Sequence, residues 1–563
     1  METSIKADMV LSSNAVFTGL EDKPINAVIA IKGNKIIAIG SQKEVASFIG
    51  SETKRYDFKD ELIMPGFNDF HIHLEQGSLS EYCADLSGAA SEQEAVDILK
   101  KHVMENDNNE IGKDKWILGF GWYHVFWDEP KLPHRSSIDK EFPDNPVCLL
   151  NSDVHGAWLN SKGLEILGIN RDTPDPHGGK IIKDENGEPT GVLDEKAINL
   201  AESILKVPLE QHPRFLKKFL EKAAEYGVTS VTDVSPLREE SDLDYIKTCG
   251  DFEKRGELTA RIHFSYEING ELDYPKQLRE KYKSEMLKFT GLKGFLDGVP
   301  ATYTAYLLDP YHDNPSTSGE PLLDPKEVKN WVKEADKEGF RVRFHACGDG
   351  AIRLALDCYD LAQQTNGKRD SRHSIEHVET VKPDDLDRFS ELGVIASMQP
   401  EHVALFEKFS ENTYPSRLGP NRAPYFPIKT LMNHGATLAF GSDFPIVSLN
   451  PMYGVYRGIT RVHNDGEPKG GWFPEEKISL AETLRAYTLG GAYGNFEEDQ
   501  LGTLEAGKLA DIIVLNRNLF DVEASEILNS KVKLTIVDGK VVYSNLGDAE
   551  KFNKTELESL ERL

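Results

Sequence analysis

Hydrophobic and polar positions divide the chain into two β-rich ends and a long middle of a different kind. Near the start, the stretch AVIAIKGNKIIAIGS predicts a hairpin that turns at Gly33 and Asn34. Near the end, LADIIVLN predicts a strand, and KLTIVDGKVVYS predicts a hairpin that turns at Asp538 and Gly539. We expect both ends to form one small β-sandwich, because two independent β-domains, the alternative, would each be short for a stable core.

The middle of the chain alternates apolar strands with amphipathic helical stretches, which is typical of parallel βα units. One such stretch, DPKEVKNWVKEADKEGF, has Asp324 as a candidate N-cap. Eight strands are predicted: IMPGFNDFHIH, GVTSVTDVS, TARIHFSYEI, LKGFLDG, FRVRFHACGD, RHSIEHVE, GVIASMQP and ATLAFGSDFP. Eight βα units predict an α/β fold of the TIM (β/α)8 barrel type, whose chemistry lies at the C-terminal ends of the strands.

One interval is too long for an ordinary βα connection. About 150 residues separate the first predicted strand, which ends at His73, from the second, which begins near Gly227. This interval has an aromatic stretch (WILGFGWYHVFWDEP) and a hairpin predicted to turn at Asn186 and Gly187. We therefore predict an inserted subdomain after barrel strand 1. The expected divisions are 1–62 and 496–563 for the β-sandwich and C-terminal tail, 63–80 for barrel strand 1, 81–210 for the inserted α+β subdomain, and 211–495 for the rest of the barrel.

Composition and charge narrow the function classes. The chain has 563 residues, a formal net charge of −28 and 39% hydrophobic residues, which is enough for large cores. A chain this acidic argues against nucleic-acid and membrane partners, whereas a small-molecule substrate of either sign stays open. The five cysteines form no CxxC pair, and we find neither a secretory signal nor an apolar run of about 18 residues, so we expect a reducing, cytoplasmic location.

Residues able to bind a metal recur where the predicted barrel strands end. They follow the strand order: His71 and His73 on strand one, Lys293 on strand four, His345 on strand five, His377 on strand six and Asp443 on strand eight. A polar residue at one strand end is ordinary, but four histidines and an aspartate on the strands of one barrel indicate a metal site. Imidazole and carboxylate ligands without thiolate suit zinc, iron, manganese or nickel.

Nine stretches, in order from about residue 60 to residue 515, resemble one family of metal hydrolases. They are MPGFNDFHIHL, NSDVHGAWLNSKGL, GEPTGVLDE, LKGFLDG, HACGDGAI, HSIEHVE, MQPEH, GSDFPI and LEAGKLADIIVL. Through them the chain resembles the amidohydrolase superfamily, and within it the N-substituted formamide deformylase-like (amidohydrolase 3 type) metal-dependent hydrolases. The resemblance implies hydrolysis of C–N bonds, a divalent-metal cofactor with zinc as first choice, and a homodimer.

The resemblance also implies a division of the ligands. In many members of the superfamily the strand-four lysine is carboxylated on its amine, and the resulting carbamate bridges two metals. If Lys293 is so modified, each metal has its own protein ligands: His71, His73 and Asp443 for one, His345 and His377 for the other. If it is not, the site holds one metal, and Asp297 is a candidate for an additional acidic group. We favour the bridged, binuclear site.

Catalysis is expected to centre on Asp443. A metal lowers the pKa of a bound water molecule to roughly 7, and Asp443 would take its proton and pass it to the leaving nitrogen. His155, in the predicted insertion, would help to polarise the substrate carbonyl; the alternative is a turn residue before a helix. Trp122 and Trp127 are candidates for an apolar substrate wall, or else core residues of the insertion.

The expected function is hydrolysis of a small amide, an N-substituted formamide or a cyclic amide by metal-activated water. The same ligands would serve a deaminase or an esterase, and they do not separate these reactions. A catalytically silent relative is a third interpretation. Such relatives usually lose metal ligands, however, and this chain has the full set.

Overall fold

The chain divides into two compact units. The computed structural model describes residues 5–105, 115–124, 127–152, 156–176, 179–204, 207–238, 242–406 and 408–546. The first unit comprises Met1–Ile72, Leu220–Leu243 and Cys249–Leu563, and the second comprises His73–Phe219 and Asp244–Thr248.

Eight parallel strands in chain order form the barrel of the first unit. Their bounds are Phe67–Ile72, Val228–Asp233, Arg261–Glu267, Leu287–Phe295, Val342–Ala346, Ser374–His377, Ile395–Met398 and Thr437–Phe440. The chain after the eighth strand returns to the first through a parallel bridge between Ile72 and Phe444. The Asp443 N–H also donates to the His71 carbonyl at 2.7 Å. This nearly closed parallel sheet is the barrel type that the sequence predicts.

Helices alternate with the barrel strands, as the apolar pattern predicts. The α-helices among the described residues are Gln42–Val45, Leu74–Ser80, Glu92–Glu105, Arg135–Asp139, Ser161–Ile166, His212–Glu225, Leu243–Arg255, Asp273–Lys281, Pro325–Lys337, Asp349–Asn366, Pro383–Leu392, Tyr414–Leu418, Ile428–Asn433, Pro451–Thr460, Leu480–Arg485 and Gly491–Gly494. The N-cap prediction is confirmed, because the Asp324 side chain accepts hydrogen bonds from the N–H groups of Lys326 and Glu327. Among the described helices, none combines the length and the apolar character that crossing a membrane requires.

Both chain ends contribute to a second eight-stranded sheet of the first unit, which we call the terminal sheet. Its strands are Met9–Val16, Ile25–Lys32, Lys35–Gly40, Lys54–Asp57, Leu62–Pro65, Ile512–Leu515, Val532–Val537 and Lys540–Ser544. The hairpins predicted at Gly33 and at Gly539 are present as antiparallel pairs. Leu62–Pro65 pairs with Ile512–Leu515, which joins the two ends of the chain.

The structure corrects two strand predictions. Strand four, predicted over LKGFLDG, begins earlier in the chain, at Leu287, and ends at Phe295. The stretch IMPGFNDFHIH is two strands: Leu62–Pro65 belongs to the terminal sheet and Phe67–Ile72 to the barrel. Gly66 lies between them, and a Cβ there would be 2.2 Å from Thr229 Cγ2. The Gly66 N–H donates to the Asp511 carbonyl at 3.0 Å. The chain therefore passes from one sheet to the other at a position where a side chain would clash.

The second unit has a six-stranded sheet. Its strands are Ala84–Asp85, Ile117–Trp122, Val147–Asn151, Gly156–Leu159, Gly179–Lys183 and Pro189–Glu195. The last two pair antiparallel, as the hairpin prediction requires. Trp122 and Trp127 are 1% and 4% exposed and contact Trp158 in the core of this unit. A substrate wall needs exposed ring faces, so these two rings correspond to the alternative interpretation, core packing.

A buried ion pair ties the barrel to the terminal sheet. Arg261, at the start of barrel strand three, is 0% exposed, and its Nε and Nη2 each donate to the Asp511 carboxylate at 2.9 Å. Asp511→Ala leaves this guanidinium buried beside the more distant Asp538, 3.4 Å away. We expect the free energy of unfolding to fall by about 3–5 kcal/mol, because the remaining charge is poorly compensated. Urea denaturation followed by circular dichroism measures the change.

The control variant is Lys254→Ala, which removes an exposed ion pair with Asp251. Its urea midpoint should match that of the parent protein, since exposed pairs contribute little. If Asp511→Ala unfolds at the same urea concentration as this control, the buried pair does not hold the barrel and the terminal sheet together.

Candidate metal centre

The residues predicted at the strand ends converge at the C-terminal end of the barrel. His71 and His377 lie in the last two positions of strands one and six, Lys293 and His345 near the ends of strands four and five, and Asp443 three residues after strand eight. His71, His377, Lys293 and Asp443 are no more than 5% exposed, and His345 is mostly buried. Parallel strands of one barrel thus bring residues far apart in sequence to a common end.

Three of these residues form a compact set of donor atoms. The ligand atoms of His71, His377 and Asp443 all lie within 4.8 Å of one another. His71 Nε2 is 3.2 Å from Asp443 Oδ1, and the His71 and His377 ring centroids are 4.8 Å apart. Two imidazoles and a carboxylate at this spacing suit a divalent transition metal such as zinc.

Two of the donors have a left-handed backbone. The φ angles are 74° at His377 and 66° at Asp443, a region that costs energy for residues other than glycine. In an extended strand, the successive residues Glu376 and His377 would point to opposite faces. The left-handed residue breaks this alternation, so both side chains can serve one site. Such strain is commonly found where function fixes a side-chain position.

His345 extends the donor set toward strand four. Its ring centroid is 4.5 Å from that of His377, and its Nε2 is 3.8 Å from Asp297 Oδ1. Burial lowers the pKa of His345 to about 3, with Lys293 adding to the effect, and burial also holds the pKa of His377 well below its usual range. Both imidazoles are therefore neutral at neutral pH, which is the form that binds a metal.

Asp297 orders the loops that follow strands four and five. Its carboxylate accepts hydrogen bonds from the backbone N–H groups of Tyr306 at 2.9 Å, Cys347 at 3.0 Å and Gly348 at 2.8 Å. Burial raises the pKa of Asp297 to about 7, against the effect of these three donors. Because backbone groups already engage both of its oxygens, Asp297 holds the protein chain around His345.

A buried carboxylate orients His71. Glu376, which is 0% exposed, lies 2.8 Å from His71 Nδ1, and it accepts from Arg343 Nε at 2.8 Å and Nη2 at 3.0 Å. The Ser374 hydroxyl donates to the same carboxylate at 2.8 Å. Burial favours the neutral acid, but Arg343 and His71 outweigh it and hold the pKa of Glu376 well below its usual range. Burial lowers the pKa of His71, but Asp443 and Glu376 outweigh it and raise that pKa. An ionised Glu376 holds a proton on Nδ1, so Nε2 is the nitrogen that would present its lone pair to a cation on releasing its own proton.

Lys293 is an amine in an apolar setting. It is 1% exposed, and its Nζ lies 4.9 Å from the centroid of the Phe295 ring. Burial lowers the pKa of Lys293 to about 8, with Glu376 opposing and Arg343 adding to the shift. A fraction of this amine is therefore unprotonated near neutral pH.

Sequence reasoning missed two residues of the site. His402 follows strand seven and stacks on His377 with ring centroids 5.6 Å apart, and its Nε2 is 3.4 Å from Asp443 Oδ2. Burial lowers the pKa of His402 to about 4, so this imidazole is neutral. The stretch MQPEH, which begins inside the predicted strand GVIASMQP and ends at His402, indicated this residue. Glu376 stands next to His377 in SIEHVE, where strand alternation predicts the opposite face.

For two of the predicted site residues the role stays a prediction. His73 is the first residue of the second unit and the N-cap residue of helix Leu74–Ser80. It directly follows the first barrel strand, and its role as a ligand stays a prediction. His155 lies outside the described residues, so its predicted role also stays a prediction.

The donor set fits a divalent cation. His377 Nδ1 is buried and has no hydrogen-bond partner within the described part of the chain. A buried nitrogen without a partner is costly, and a cation bound to it would remove that cost. The neutral imidazoles and the Asp443 carboxylate are the ligand types that zinc, iron, manganese and nickel accept.

Comparison with known proteins is consistent with this geometry. A family model described as Amidohydrolase family matches residues 55–543. Protein LONG AFTER FAR-RED 3 of Arabidopsis thaliana is 32% identical over 551 residues, which cover 96% of this chain and 92% of that protein. The N-substituted formamide deformylase of Arthrobacter pascens is 26% identical over 97% of this chain and 100% of its own length. An uncharacterized metal-dependent hydrolase from Pyrococcus furiosus superposes with a TM-score of 0.70 at 27% identity, covering 90% of this chain and 99% of that structure.

Glu376→Gln tests the role of the buried carboxylate. The amide keeps the shape but removes the charge that fixes the His71 proton on Nδ1, and we expect metal affinity to fall by about 10–100-fold. Competition with a chromophoric chelator gives the affinity, on protein shown by circular dichroism to be folded at the assay temperature.

Ser374→Ala is the matched control, because it removes one hydrogen bond to Glu376 and leaves the carboxylate in place. Its metal affinity should stay within a few-fold of the parent's. Equal metal affinities in Glu376→Gln and the parent would mean that the carboxylate does not orient His71 for binding.

Proposed function

We propose a function from one premise: this chain belongs to the amidohydrolase family, as its sequence stretches indicate and the comparisons confirm. It is a metal-dependent hydrolase that acts on carbon–nitrogen bonds other than peptide bonds. Within that class, the proposed substrate is a small amide, an N-substituted formamide or a cyclic amide.

The observation that carries the proposal is the cluster of His71, His377 and Asp443 at the C-terminal end of the barrel. A divalent cation bound there, zinc as first choice with iron, manganese or nickel as alternatives, would supply Lewis acidity, which would activate water at neutral pH and polarise a carbonyl. His73, Lys293 and His345 complete the proposed ligand set.

Asp443 is the general base of the proposed reaction. Its Oδ1 lies 3.2 Å from His71 Nε2 and its Oδ2 lies 3.4 Å from His402 Nε2, so ring nitrogens flank both oxygens. A general base must lie within hydrogen-bond reach of the proton it removes. Asp443 takes a proton from water and delivers it to the leaving nitrogen, while His402 positions the carboxylate. His155 assists the substrate carbonyl in this proposal.

Lys293 is proposed to be carboxylated and to join two cations. An ammonium group between cations would be repelled, whereas a carbamate is an anionic oxygen ligand of the kind divalent metals accept. The burial of Lys293 among the strand ends supports this placement. An unmodified lysine and a single metal is the alternative.

The formamide substrate rests on likeness to the Arthrobacter pascens protein along its whole length. The inserted subdomain after barrel strand 1, a β-sandwich at the terminal sheet, a homodimer and a cytoplasmic location are further proposals. The free thiols of all five cysteines agree with a reducing compartment.

A substrate screen with Asp443→Asn tests the reaction. We expect hydrolysis of at least one N-substituted formamide, linear amide or cyclic amide, abolished by a chelator and restored by zinc. In Asp443→Asn we expect kcat to fall by about 10²–10⁴-fold, because proton transfer is lost. Aryl esters and aminopurines in the same screen test the esterase and deaminase alternatives.

Asp251→Asn, at an exposed position, is the matched control and should keep the parent's kcat. Metal content is measured on each sample, so that loss of metal is distinguished from loss of the base. Turnover that persists in metal-free protein, or undiminished kcat in Asp443→Asn, contradicts the proposed mechanism.

Intact-mass measurement tests the modification of Lys293. The parent protein, sprayed under non-denaturing conditions, should carry the extra mass of one carbon dioxide and two metals. Lys293→Met should lack the extra mass and bind at most one metal, because the bridging ligand is gone. A parent protein with an unmodified lysine and a single metal rules out the bridge and leaves the mononuclear alternative.

A further inference from the structure

A cavity of about 170 Å³ opens at the N-terminal end of the barrel, and we call it the basal cavity. Its walls include four cationic side chains, Arg279, Lys288, Arg341 and Arg369. None of the described residues that line it is acidic. In a chain with a net charge of −28, four cations converging on one cavity are a marked local exception.

Carboxylates neutralise only part of this charge. Lys288 lies 3.2 Å from Glu497, and Arg369 lies 2.6 Å from Asp336. Arg279 donates to the backbone carbonyl of Glu338 at 2.9 Å and stacks on Phe340 at 4.3 Å. These contacts supply Arg279 with no opposite charge, and Arg341 likewise contacts neutral groups.

Among the four cations, Arg341 is the one whose burial is most costly. It is 3% exposed; its Nη1 donates to the Gly494 carbonyl, and its Nη2 lies 3.4 Å from Asn495 Oδ1. Its Nε is buried and, as far as the structure describes the chain, has no hydrogen-bond partner. Burial lowers the pKa of Arg341 to about 9, and Arg343 adds to the effect. Glu376 and Glu497 oppose this lowering from a distance, but no carboxylate contacts the guanidinium in the described part of the chain, and a bound anion would supply that contact.

We propose that the basal cavity binds a compact oxyanion, phosphate, either free or as a monoester. Arginine donors match the oxygens of phosphate in pairs, and Arg279 and Arg341 are the two without a carboxylate partner in the contacts above. Phe289, Phe340 and Phe496 supply apolar walls, and Phe496 is 46% exposed, so the cavity has an edge at the surface. These rings can contact the organic group of a monoester.

The basal cavity is distinct from the metal centre. Lys288 stands at the start of strand four and Arg341 directly precedes strand five, whereas Lys293 and His345 stand near the ends of the same strands. Arg341 and His345 are four positions apart in extended chain, which is about 13 Å. An anion at the basal cavity therefore contacts none of the proposed metal ligands.

Isothermal titration of the metal-loaded protein with inorganic phosphate, and separately with phenyl phosphate, tests the proposal. Potassium chloride at matched ionic strength is the blank. We expect saturable binding of one anion per chain. Arg341→Gln should weaken it by at least about tenfold, because charge-assisted hydrogen bonds are lost, and Arg279→Gln should weaken it several-fold.

Arg255→Gln is the matched control. Like Arg279 it is an arginine stacked on a phenylalanine, Phe252, at 4.8 Å, but it is not among the residues that line the cavity. It should bind phosphate as the parent does. If Arg341→Gln does not fold, the phosphate affinity of Arg279→Gln alone tests the proposal.

Two results would overturn the proposal. One is the absence of saturable binding by the parent protein. The other is binding that Arg279→Gln and Arg341→Gln leave unchanged, which would place the anion elsewhere, for example at the metals. Tighter binding of phenyl phosphate supports a monoester as the ligand, and equal binding supports free phosphate.

Discussion

The buried ion pair between Arg343 and Glu376 is the constraint on which the rest of the site depends. Both residues are 0% exposed, so neither charge is tolerable without the other. By keeping Glu376 ionised, Arg343 fixes the proton of His71 on Nδ1 and leaves Nε2 facing Asp443. One interaction thus serves both the stability of the barrel interior and the orientation of a proposed metal ligand.

Strand five carries charged and polar side chains along the length of the barrel. Arg341, Arg343 and His345 alternate along it and therefore share one face. The guanidinium carbon of Arg343 lies 4.1 Å from the centroid of the Phe70 ring, and that of Arg341 lies 5.5 Å from it. The ring offers both cations a favourable face in a setting that excludes water. A cation of the basal cavity, the central ion pair and a proposed metal ligand thus follow one another along a single strand.

Much of the fold follows from local sequence pattern. Seven of the eight apolar runs contain a whole barrel strand, the fourth covers only the end of one, and Asp324 caps its helix, because periodicity and capping depend on neighbours in sequence. The division of the first run at Gly66 could not be predicted, because it depends on the distant Thr229. Strand-end histidines could be predicted from their positions. Glu376 and His402 could not be assigned roles, because a left-handed residue and contacts between strands decide where their side chains lie.

The central claim is that one cation-binding site lies between strands one, six and eight. Anomalous diffraction from crystals of the zinc-loaded protein, collected on both sides of the zinc absorption edge, tests it most directly. We predict zinc peaks about 2.0–2.2 Å from the ligand atoms: one at His71 Nε2 and an Asp443 oxygen and a second at a His377 ring nitrogen for the bridged site, or a single peak shared by all three for the mononuclear alternative. Zinc density that is absent from these three residues, or found only at surface positions, would contradict it.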